Sequence, residues 1–86
     1  MKKIILDGEQ LCDRETAHSY LQIALELPEY YGKNLDALYD CLTELQDVYV
    51  EIQQPHEETM YFKKVLRVFK GAEMESDSFT VVLNEI

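Results

Sequence analysis

The spacing of apolar residues along this chain changes period several times, and each change marks an element. Lys3-Ile4-Ile5-Leu6 is a short β-branched and apolar run bounded by Asp7-Gly8, which reads as a buried strand and a turn. Asp13 is placed to cap a helix with Glu15 in its first turn. Ala17, Tyr20, Leu21 and Ala24 then form an inward stripe at helical spacing, leaving Arg14, Glu15, Ser19 and Gln22 for solvent. The Leu27-Pro28 junction ends that helix, because proline disfavours helical geometry in the residue before it. Asn34 caps a second helix, whose apolar face is Leu35, Leu38 and Leu42 with Cys41 beside them. Val48, Val50 and Ile52 alternate with Tyr49 and Glu51, the period of a strand. Glu57 and Glu58 mark the start of a third helix, which turns Phe62, Val65, Leu66, Phe69 and Ala72 inward. After the turn Ser76-Asp77-Ser78, Phe79-Thr80-Val81-Val82-Leu83 is a last strand.

Strands alternating with helices of this length predict an α/β fold, a parallel sheet with a helical layer joined by right-handed crossovers. Periodicity does not order the strands. At 86 residues the chain is expected to be a single domain over 1–86, and 47% apolar residues are enough for a core.

Charge narrows the function classes. The chain has 17 acids against 8 bases, a formal net charge of -9. Such a surface is drawn to basic partners and away from nucleic acid and anionic lipid. The apolar run after Lys2-Lys3 is too short for a secretory signal, and no stretch is long enough to span a bilayer. The expectation is a cytoplasmic protein, with Cys12 and Cys41 as reduced thiols. His18 and His56 lack partners at ligand spacing, so neither a metal nor another cofactor is expected. His18 reads as a surface or partly buried helix residue.

One stretch stands out. Asp36 and Asp40 lie four apart on one helix surface, where like charges cost a few tenths of a kcal/mol. The helix dipole favours Asp36 in the first turn but fades by Asp40. Tyr39 and Thr43 share their face, Tyr30 and Tyr31 precede it, and Gly32 allows a tight approach of the loop. Two readings fit: a solvated acidic face, or an anionic patch with aromatic anchors that meets a cationic partner. An enzyme is not expected, since no nucleophile, base and orienting group occur together.

Pro28-Glu29-Tyr30-Tyr31-Gly32, Asn34-Leu35-Asp36-Ala37-Leu38 and Asp40-Cys41-Leu42-Thr43 together resemble the signature of the barstar family, small intracellular inhibitors of secreted barnase-type ribonucleases. Weaker similarity extends over nearly the whole chain, from Lys3-Ile4-Ile5 to Thr80-Val81-Val82-Leu83. The resemblance implies a three-stranded parallel sheet with a helical layer, barstar-like, and a binding surface on the second helix and the loop before it. It implies that Asp40 mimics an RNA phosphate, that Asp36 pairs with an arginine, and that Tyr30 lies over a catalytic histidine. Tyr31, Asn34, Leu35 and Thr43 match other contact positions. Tyr39 and Leu45 stand where the family pattern carries tryptophan, and Glu44 where it carries glycine. A further acid of the pattern falls at Gly71, while Glu75 keeps the next one. The partner so implied is a basic extracellular ribonuclease of the barnase type, met by a chain that is a monomer when free. The alternative is a barstar-like module for a different basic protein or toxin.

Overall fold

The computed structural model describes residues 2–85. The three strands are β1 (Lys2–Asp7), β2 (Val48–Gln53) and β3 (Phe79–Asn84), paired in parallel in the order β1-β2-β3. The helices are α1 (Arg14–Ala24), α2 (Leu35–Glu44) and α3 (Met60–Glu75). This is the α/β arrangement the sequence predicts. Both crossovers step the same way across the sheet, so right-handedness puts their helices on one face.

Strand alternation agrees with that layering. Register places Ile4, Val50 and Val81 side by side, and Leu6, Ile52 and Leu83 in the next inward row. The outward row Ile5, Glu51 and Val82 is more open, with Ile5 and Val82 exposed. Under the helices, Phe62, Phe69 and Phe79 fill the core with Leu6, Leu11, Leu21, Leu38 and Leu42. Burial of each large apolar side chain contributes about 1.5–3 kcal/mol. That exceeds the cost of Glu26, Lys33 and Asp47, non-glycine residues at φ of 54°, 52° and 53°, which is about 1–2 kcal/mol each.

Several boundaries differ from expectation, each for a physical reason. A 3-10 turn over Gly8–Leu11 follows β1, capped by the Asp7 carboxylate accepting from the Glu9 N–H. α1 ends before proline is reached. Its carbonyls are closed by the Glu26 N–H on Ile23 and the Leu27 N–H on Gln22, with Glu26 left-handed. Glu57 and Glu58 precede α3 instead of opening it. The cap is Thr59, whose hydroxyl accepts from the Phe62 N–H and donates to the Cys12 carbonyl 2.7 Å away. Gly32 does not use its conformational freedom; Lys33 takes the left-handed angle.

The largest departure is on α1. Its buried stripe is Ala17, His18, Leu21 and Leu25, with Tyr20 at the margin accepting from the Asp7 N–H. His18 is 1% exposed and sits between two hydroxyls. Its Nδ1 is 2.5 Å from the Tyr31 hydroxyl and its Nε2 is 2.6 Å from that of Tyr61. A neutral imidazole fits this site in either tautomer, one nitrogen donating and the other accepting. Burial, then the Arg14 guanidinium one turn earlier, holds its pKa below the ordinary 6.5. Gln22, expected in solvent, is half-buried and donates to the Pro28 carbonyl at 3.2 Å.

Two expectations follow. A Cβ at Gly8 would stand 2.0 Å from the Gln53 carbonyl oxygen and 2.9 Å from Pro55 Cδ. Gly8→Ala therefore destabilises the fold by at least about 2 kcal/mol, read from urea midpoints. For His18, a depressed folded pKa means that the unfolded chain takes up the proton first as pH falls. Stability is thus lost from the ordinary value of 6.5 downward, until the folded imidazole also protonates. Urea unfolding over that range should show the gap between wild type and His18→Gln shrinking as pH falls; a constant gap would mean His18 is not held neutral.

Candidate functional site

The acidic face is built on a short helix with a firm start. The Asn34 side chain accepts from the Ala37 N–H at 2.7 Å, and its amide reaches back to the Gly32 carbonyl at 3.3 Å. Gly32 lies close under that turn: a Cβ there would be 3.3 Å from Asn34 Nδ2 and 3.5 Å from Ala37 Cβ. Buried Leu38 and Leu42 seat α2 on the core, and half-buried Leu35 flanks them. That seat turns Asp36, Asp40 and Glu44 outward, each four residues from the next and all exposed. Among the described residues, none of the three is held in an ion pair. Their charge is left for a partner or for water.

Around this ridge the other candidates separate. Tyr30 is 86% exposed and can lay its ring against another molecule. Tyr31, the other tyrosine of the loop, lies mostly beneath it. Only 5% exposed, it is bound to His18 beneath the loop, and burial pushes its hydroxyl pKa up. A shallow hollow joins Tyr30 and the edge of Tyr31 to Asp40, Cys41 and Glu44. Burial also raises the Cys41 thiol pKa, with Glu44 and Asp40 adding to the effect, so this thiol is a weak nucleophile. Asp36 borders a different hollow, shared with Asn34, Leu35 and Arg14. The two aspartates, neighbours on the helix, therefore address different parts of the surface.

Thr43 is half-buried and donates to the Asp40 carbonyl at 2.9 Å, closing the last turn of α2. Leu45 follows as the C-cap residue, half-buried against the core. Tyr39 is half-buried too, and its ring packs beside Gly71 of α3: a Cβ there would be 3.6 Å from Tyr39 Cε1, an ordinary contact. Glu75, exposed at the end of α3, is one turn beyond Gly71 on the same stripe.

Sequence reasoning missed the support of this surface, namely His18, Gln22 and Tyr61. The signal was faint: His18 falls with Ala17, Leu21 and Leu25 in a helical stripe, but a polar residue there does not announce its partners. Among the described residues no three or more His, Cys, Asp or Glu side chains are grouped to hold a metal ion, and no helix is long and apolar enough to cross a membrane.

Comparison with known proteins bears on the whole chain. Residues 1–85 match the family model described as Barstar (barnase inhibitor). A Bacillus subtilis (strain 168) protein named "Putative ribonuclease inhibitor YrdF" is 37% identical over 90 residues, covering 96% of this chain and 99% of its own. With a family match that runs the length of the three-stranded sheet and its helices, the chain belongs to the barstar family.

Proposed function

We propose that this chain is a protein inhibitor of a basic ribonuclease of the barnase type, acting by occlusion of the active site and mimicry of RNA phosphate. The observation that carries the reading is the row of exposed carboxylates on α2, unpaired among the described residues, beside an exposed tyrosine. A ribonuclease groove is lined with cationic groups that stabilise phosphate. A carboxylate placed in that groove makes the same charge-assisted hydrogen bonds without a bond to cleave. Asp40 is the phosphate mimic in this scheme and Asp36 pairs with an arginine at the groove wall. Tyr30 stacks over the catalytic centre. Asn34 holds the helix start, while Leu35, Tyr39, Thr43, Leu45 and Glu75 border the contact. The family description and the name of the Bacillus relative support an inhibitor.

The inhibitor is cytoplasmic and monomeric until it meets enzyme retained in the producing cell. Its net charge of -9 steers a cationic partner over distances of a Debye length, about 10 Å at 0.1 M salt. A second reading, a different basic protein as partner, is favoured by the changes at the rim. Glu44 adds a third acid, Gly71 removes one, and Tyr39 and Leu45 offer less ring area than tryptophan. A cognate ribonuclease whose cations are displaced toward Glu44 accommodates both observations.

The test is titration into a barnase-type ribonuclease with RNA cleavage as the readout, at low and high salt. Wild type should inhibit stoichiometrically, with association slowed at high salt while dissociation changes little. Asp40→Ala should keep its urea midpoint and bind more weakly by at least about 2 kcal/mol, within a range drawn in part from the barnase–barstar pair itself. An Asp40→Ala protein that inhibits as well as wild type would sink the phosphate-mimic mechanism. A wild type that does not inhibit would move the partner to another basic protein.

A further inference from the structure

Presenting an exposed tyrosine on a loop is costly unless the loop is already ordered, because binding must otherwise fix it. Residues 25–34 contain neither strand nor helix. Beyond the backbone bonds that close α1 and the Asn34 cap, two side chains on one face of α1 tie the middle of this segment down. Gln22 donates to the Pro28 carbonyl at 3.2 Å, and His18, one turn earlier, bonds the Tyr31 hydroxyl at 2.5 Å. Between those points the Tyr31 N–H donates to the Pro28 carbonyl at 2.9 Å, so the backbone of Glu29 and Tyr30 arches between two fixed ends. Tyr30 stands at the crest, 86% exposed, while its neighbour is 5% exposed. The far side of the imidazole is itself fixed by Tyr61 on α3, at 2.6 Å.

We propose that His18, with Gln22 one turn later, is a positioning residue for the partner-facing loop: it touches no partner, and fixes the arch that presents Tyr30. This rests on the inhibitor reading for the partner, and on the free protein alone for the clamp. A histidine suits the task because it bonds on two opposite edges, joining the loop to α3 through one rigid ring. Gln22 cannot substitute for it, since it holds only the near end of the arch. The outer surface supplies the same logic in reverse. Tyr30 has no hydrogen-bond partner among the described residues, so its orientation depends on the backbone beneath it.

The two tyrosine hydroxyls allow a matched test, because each deletion breaks one bond to the same imidazole. In Tyr31→Phe the Tyr31-position amide should exchange with solvent about tenfold faster than in wild type, the effect of releasing one buried hydrogen bond. In Tyr61→Phe global stability should fall while that amide stays within about twofold of wild type, since its turn is still tied to α1. Against a barnase-type ribonuclease, Tyr31→Phe should bind about tenfold more weakly, chiefly through faster dissociation. Tyr30→Ala should then cost less affinity in the Tyr31→Phe background than in wild type, because the ring it removes is no longer held in place. Equal exchange effects of the two phenylalanine variants, or none from Tyr31→Phe, would overturn the clamp. Additive affinity losses at Tyr30 and Tyr31 would overturn the positioning role. Failure of the wild type to bind any ribonuclease would refute the inhibitor reading alone, because exchange in the free protein still decides the clamp.

Discussion

The imidazole of His18 joins three parts of the molecule that no strand pairing connects. It sits on α1, bonds the loop through Tyr31 and bonds α3 through Tyr61. A buried polar group left without partners costs about 1–3 kcal/mol, so the site tolerates histidine only while both tyrosines are in place. That mutual dependence sets where the loop lies over the helical layer. It also makes α1, which carries no carboxylate of the acidic face, responsible for the geometry beside that face.

α2 works under the opposite constraint. Asp36, Asp40 and Glu44 repel one another along a helix of 10 residues, and the dipole helps only the first. The penalty is a few tenths of a kcal/mol per pair. Burial of Leu38 and Leu42 and the Asn34 cap outweigh it, at about 1.5–3 and about 1 kcal/mol respectively. These acids are therefore left without an ion pair among the described residues, although Arg14 borders the same hollow as Asp36. A face kept unneutralised at a small cost in stability is the arrangement an electrostatic inhibitor requires.

Much of this was legible locally. Strand periods, the Asp13 and Asn34 caps and the apolar faces of α2 and α3 each depend on residues within a few positions of one another. The structure reproduces them, with strands extended by one residue at an end or both and the acids of α2 facing outward. Where expectation and structure part, a distant group intervened. Glu57 and Glu58 resemble a helix start, but Thr59 caps α3 because its hydroxyl also reaches Cys12, 47 residues away. Tyr31 looks like Tyr30 in sequence, yet one is buried and the other exposed.

The amino-acid sequence by itself determined the α/β layering, the charge of the chain and the helix that displays it. These follow from hydrophobic period, capping chemistry and composition, which are properties of neighbouring residues. Only the tertiary structure decided which tyrosine is buried beneath the loop and which is exposed. It also decided that Tyr39 packs beside Gly71 and that His18 is interior. Those outcomes depend on groups 13, 32 and 43 positions apart meeting across packed helices. No local periodicity encodes such meetings, because a side chain's hydrogen-bond partner is chosen by packing and not by its place in the chain.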